Sequence, residues 1–200
     1  MGNLMRLRMF ALSFLLLNGC VAAAALSAIP GALANHAVDF FSGQETSLPL
    51  DMQASLVSVQ QGLEKMSLHV NVLEPVEDGY LVEFGNGELD GDIHLKRQTD
   101  QLTTMSIIAH RGLSHQESVE EAMVRAVTDV SEQLAGDVRF SFIGYDRVYA
   151  KADVNSGELG WFKPGAKLNV SMDREAGWLR LKLPSGKTGF IKGSFKDEEA

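Results

Sequence analysis

From Asp51 onward, Met52, Leu56, Val59, Leu63 and Met66 recur at spacings of four, three, four and three, which lines one face of a helix. Asp51 carries the short acceptor side chain that an N-cap needs. The period then changes to two in Leu68-His69-Val70-Asn71-Val72, Tyr80-Leu81-Val82-Glu83-Phe84, Ile93-His94-Leu95-Lys96 and Met105-Ser106-Ile107-Ile108-Ala109, predicting four strands. Asn86-Gly87 reads as a two-residue hairpin turn between the second and third of them. Helical spacing returns at Val119, Met123, Ala126, Val130 and Leu134, opened by Ser114 and Glu117 as a capping box and closed at Gly136. The order predicts an α+β sandwich of helix, four antiparallel strands and helix, with both helices on one face of the sheet. Val138, Phe140 and Phe142 supply a fifth strand or join the strands of the C-terminal segment.

Beyond residue 142 the apolar runs shorten. Leu168 and Val170 alternate with Lys167 and Asn169, and Leu179, Leu181 and Leu183 alternate with Trp178, Arg180 and Lys182. Turn residues fall between them at Pro164-Gly165, Glu175-Ala176-Gly177 and Pro184-Ser185-Gly186. Short strands and tight turns predict a small all-β barrel. The segments Leu159-Gly160-Trp161-Phe162-Lys163-Pro164-Gly165, Gly177-Trp178-Leu179 and Gly186-Lys187-Thr188-Gly189-Phe190 resemble a bacterial SH3-like domain. Phe190 stands where that family more often has Trp or Tyr, and the first strand lacks the usual Asn-Val-Arg. The resemblance implies a small SH3-like barrel. Such modules often accompany wall-degrading catalytic domains, although a fold alone does not fix a ligand.

The N-terminus reads as an export segment: Arg6 and Arg8 precede the apolar run Met9 to Leu17. Leu17-Asn18-Gly19-Cys20 resembles a lipobox, with Asn18 unusual at its position, and Cys20 is the only cysteine in the chain. A lone cysteine cannot form an internal disulfide, and lipidation accounts for its place. Two other readings stay open. Ala32-Leu33-Ala34 is an ordinary secretory cleavage site that would release a chain beginning at Asn35, and the 26 uncharged residues from Met9 to Ala34 are long enough to span a bilayer uncut. All three put the remainder outside the cytoplasm. Cys20, the Ala-rich run after it and His36-Ala37-Val38-Asp39-Phe40-Phe41-Ser42-Gly43 are similar to a family of small bacterial lipoproteins of unknown function. The expected organisation is a signal peptide over 1–19, a lipidated anchor segment over 20–43, the α+β domain over 44–141, the SH3-like barrel over 142–195 and an acidic tail over 196–200.

Charge divides along the same line. The chain carries a formal charge of −8, but Gln44 to Phe140 holds 17 acidic and 6 basic residues whereas Tyr145 to Phe195 holds 5 acidic and 9 basic ones. The acidic part repels phosphates, so nucleic acid is not an expected partner. Lys163, Lys167, Arg180, Lys182, Lys187 and Lys192 form a cationic set that attracts a polyanion or the carboxylates of wall peptides; the same lysines on outward strand positions also simply keep a small domain soluble. Tyr149 and Trp161 are the aromatic residues suited to a shallow peptide groove. The ligand-binding candidates are therefore Tyr149, Trp161, Lys163, Lys167, Arg180 and Lys187.

Catalytic constellations are not legible. A cysteine peptidase is closed off because the one cysteine lies in the export segment. The five histidines, His36, His69, His94, His110 and His115, show no spacing of one helical turn of the kind zinc peptidases use. The acidic loop Asn86 to Asp92 lacks the ligand ladder of a calcium loop. No metal, cofactor or enzymatic activity is expected. The expected function is that of a non-catalytic, lipid-anchored envelope protein whose barrel binds peptidoglycan or an envelope protein; the alternative is an inhibitor or accessory subunit of a cell-wall enzyme.

Overall fold

The computed structural model describes residues 43–134, 136–173, 175 and 177–193. Cys20, the signal segment, the alternative cleavage before Asn35 and the tail 196–200 lie outside the described residues. Among the described residues no helix is long and apolar enough to cross a membrane.

Helix α1 (Met52–Lys65) starts where Asp51 Oδ1 accepts the N–H of Ala54 at 2.8 Å, which satisfies one of the first-turn donors. Its face of Met52, Leu56, Val59 and Leu63 is buried. Four long strands come next, β2 (His69–Val76), β3 (Gly79–Gly85), β4 (Asp90–Thr99) and β5 (Leu102–Arg111), in an antiparallel meander. A strand that the pattern did not reveal, β1 (Gln44–Leu48), precedes α1 and pairs with β5. The β3–β4 connection is not a two-residue turn. Asn86 Oδ1 accepts the N–H groups of Glu88 and Leu89 at 2.8 and 2.9 Å, and Asn86 N–H donates to the Leu89 carbonyl, so the asparagine side chain organises a longer loop.

The second helix also begins later than its capping-box pattern suggests. Ser114 and His115 form the short strand β6, paired with the end of β5, and α2 runs from Glu117 to Gln133 behind Gln116, which makes no side-chain cap bond. Met123 and Val127 of α2 join α1 and the inward residues Val82, Phe84, Ile93, Leu95, Met105 and Ile107 in one core. Val138 to Phe142 adds no strand; Phe140 is buried in this core, with Phe142 packed against it.

The division into a helix–strand–helix sandwich and a separate SH3-like barrel does not hold. The later strands β7 (Asp146–Tyr149), β8 (Glu158–Phe162), β9 (Val170–Met172), β10 (Trp178–Lys182) and β11 (Thr188–Lys192) continue the first sheet. Among the described residues, eleven strands make one antiparallel sheet in the order β1-β5-β4-β3-β2-β8-β7-β11-β10-β9, with β6 beside β5. The join is β8 on β2: Val72 faces Phe162, Leu73 faces Trp161, and Lys163 N–H donates to the Asn71 carbonyl at 2.8 Å. Without β8, β2 would be an edge strand with unpaired backbone groups. Gly160 permits the approach, because a Cβ there would collide with the Leu73 carbonyl oxygen.

Alternation decides what each joined residue packs against. Trp161 turns to the first core, its ring 4.2 Å from that of Phe142. Phe162 turns to the second, with Val72, Val148, Leu179, Leu181, Leu183 and Ile191. The two halves are also tied by Glu74 on β2, which is 1% exposed. Its carboxylate accepts the Ser185 N–H at 2.9 Å and the Ser185 hydroxyl at 2.6 Å, with the Lys187 ammonium 3.7 Å away. A buried carboxylate is tolerable when its lone pairs are used in this way.

Candidate functional site

The run Tyr145-Asp146-Arg147-Val148-Tyr149 begins after a turn in which Tyr145 N–H donates to the Phe142 carbonyl. Pairing of β7 with β8 on one side and β11 on the other brings this run beside the ends of both neighbours. The result is a cleft of about 460 Å³ lined by Tyr145, Asp146, Arg147, Tyr149, Phe162 and Lys192. Two tyrosines and two cations share this surface, while Phe162 borders it with its ring buried in the second core.

Each wall is fixed differently. Tyr149 meets the indole of Trp178 edge to face, at 5.7 Å and 86°, an orientation that aromatic quadrupoles favour. Tyr145 packs beside Phe140, and burial, with the Glu64 carboxylate nearby, pushes its phenol up to about 12. Its hydroxyl therefore remains a neutral donor at ordinary pH. Arg147 Nη1 holds Glu158 Oε1 at 2.8 Å. Lys192 is exposed at the end of β11 and makes no ion pair among the described residues.

Of the six residues singled out from the sequence, Tyr149 lines this cleft. Trp161 is half-buried against Phe142. Lys163 is half-buried beside β2, and Lys167 is exposed before β9. Arg180 Nε lies 3.2 Å from Asp173 Oδ1, and Lys187 is drawn to Glu74. The fold does not gather these five around Tyr149. Tyr145, Asp146, Arg147 and Phe162 line the cleft without having been singled out, although Tyr-Asp-Arg-Val-Tyr concentrates binding-type side chains in five residues.

The cleft can hold an extended, partly apolar ligand against its rings and attract a carboxylate to its cations. Among the described residues its lining includes one carboxylate, Asp146, whereas glycoside hydrolysis commonly uses two facing each other. Compared with protein-family models, with curated proteins and with solved structures, the chain matches none.

Proposed function

We propose that this chain is a non-catalytic protein of the bacterial cell envelope, exported and held to a membrane through lipid on Cys20, whose cleft beside β7 binds peptidoglycan peptides or an envelope protein segment. The observation that carries this reading is the joining of Tyr145 and Tyr149 with Arg147 and Lys192 in one cleft. Aromatic walls give contact area at low conformational cost, and wall peptides present the carboxylates that the cations attract. Arg147 is already shared with Glu158, so Lys192 is the principal anchor for an incoming carboxylate.

The test uses the chain's own reporter. Trp178 touches Tyr149, so titration with soluble stem-peptide fragments shifts tryptophan emission saturably. A flat titration, with emission unchanged in Trp161→Phe as well, contradicts the reading. The excess of acidic residues between Gln44 and Phe140 favours a second role, as an accessory or inhibitory subunit docking a basic enzyme surface. Cross-linking that recovers one stoichiometric wall enzyme supports it.

A further inference from the structure

The β5–β6 hairpin holds a pair of histidines that the cleft does not use. Gly112 has φ of +60° and sits first in the two-residue turn Gly112-Leu113, as a type II′ hairpin turn requires. Arg111 pairs with Ser114, His110 with His115, and Gln116 N–H donates to the Ala109 carbonyl at 2.9 Å. His110 and His115 therefore occupy the non-hydrogen-bonded position between two bonded ones, where opposite side chains approach most closely. Their ring centroids are 5.8 Å apart at 44°.

One imidazole is oriented from behind. His115 Nε2 lies 2.5 Å from Glu120 Oε1, which also accepts the Ala109 N–H at 2.8 Å. Glu120 is fully buried, and its Oε2 has no hydrogen-bond partner among the described residues. A carboxylate that accepts from Nε2–H leaves Nδ1 with its lone pair, and His115 is one-third exposed. This is the outer-shell arrangement that fixes the tautomer of metal-binding histidines: ring N–H to carboxylate, the other nitrogen to metal. A cation on the imidazole would also offset the charge of this buried carboxylate.

We infer that His110 and His115 form a two-imidazole site for a transition-metal dication such as Zn²⁺ or Cu²⁺, with Glu120 as the positioning carboxylate behind His115. Imidazole suits these ions. With metal–nitrogen distances of about 2.0–2.1 Å, two rings on one tetrahedral ion have centroids roughly 5 Å apart, close to the 5.8 Å between these two rings. No group of three or more His, Cys, Asp or Glu side chains among the described residues is arranged to hold a metal ion. The site therefore has two protein ligands, with solvent completing the shell. Asp90, paired with His110 on the other side, adds negative potential.

The experiment takes the full chain, stripped with chelator, and titrates it with Zn²⁺ against a colorimetric zinc indicator. Cu²⁺ binding is followed in parallel by electron paramagnetic resonance. One saturable equivalent is expected, with nitrogen hyperfine structure from two imidazoles. His110→Gln and His115→Gln each weaken binding tenfold or more, while His69→Gln and His94→Gln leave it unchanged. Glu120→Gln weakens it about 10–100-fold and removes the single-tautomer signature of His115 in long-range nitrogen–proton spectra, whereas His110→Gln weakens binding with that signature intact, and metal affinity that is unchanged in folded Glu120→Gln assigns the carboxylate a structural role only. Circular dichroism confirms that each variant is folded, and His110→Gln, at a surface turn, keeps the test available if Glu120→Gln does not fold. Absence of saturable binding to millimolar metal overturns the inference, as does binding that survives loss of both His110 and His115.

Discussion

Glu83→Gln should make the protein more stable, and only above mildly acidic pH. Glu83 on β3 lies opposite Asp92 on β4 and opposite Val72 on β2, and Val72 is fully buried under the C-terminal strands. Burial first, and then the Asp92 and Asp90 charges, raises its carboxyl from 4.5 to about 7. A raised acid binds its proton more tightly in the folded than in the unfolded state. Stability from this group is therefore fully present below the unfolded value and is lost as pH climbs from about 4.5 to about 7. At about 1.36 kcal/mol per pH unit the ceiling is roughly 3 kcal/mol, and partial solvent access trims this to about 1–3 kcal/mol. Glutamine keeps the neutral shape at every pH. Urea unfolding of both proteins at about pH 8 should show Glu83→Gln more stable by that amount, with the difference shrinking below about 0.5 kcal/mol near pH 4.5. A variant less stable at the higher pH, or a difference independent of pH, refutes the reasoning.

Three further predictions concern the join and the cleft. Ser185→Ala removes one of the bonds to the buried Glu74 carboxylate and should cost about 1–3 kcal/mol in urea unfolding. Trp161→Ala removes the half-buried indole packed on Phe142 and should cost about 1–3 kcal/mol, seen as a lowered melting temperature; an unchanged melt would show that the indole carries no packing. Tyr149→Ala should weaken stem-peptide binding at least fivefold in a titration while leaving the cooperative melt in place, since Tyr149 is only half-buried.

Local structure was more legible than its arrangement. The Met52 to Leu63 stripe and the Asp51 cap follow from helical spacing and one acceptor side chain. The outward Trp178, Arg180 and Lys182 against inward Leu179, Leu181 and Leu183 follow from the pleat. Pairing across a long separation is another matter, because period-two alternation says which face is apolar and not which edge finds a partner. One signal was present. The adjacent apolar pair Val72-Leu73 breaks the alternation of its strand, and neighbours that are both apolar put one on each face. Adjacent Trp161 and Phe162 carried the same message, since neighbours on a strand point to opposite sides and a single small core can take only one. Ser114 misled because a capping-box pattern and a tight hairpin both use a polar residue there, and Gly112-Leu113 supplied the hairpin turn.

At the candidate site the aromatic Tyr149 was readable, while the cations that join it were not. Lysines on outward strand positions look alike in a sequence. Their fates separate only when Asp173 takes Arg180, Glu74 takes Lys187, and Lys192 is left beside Tyr149 and Arg147.

The most direct measurement is co-sedimentation of the full chain, in mild detergent, with purified cell-wall sacculi, beside a folded Tyr149→Ala/Lys192→Ala variant, at low and high salt. If the cleft binds wall material, the parent pellets, salt weakens this because part of the attraction is screened charge, and the variant stays in the supernatant. A parent that does not pellet, or a variant that pellets equally well, contradicts wall binding through this cleft.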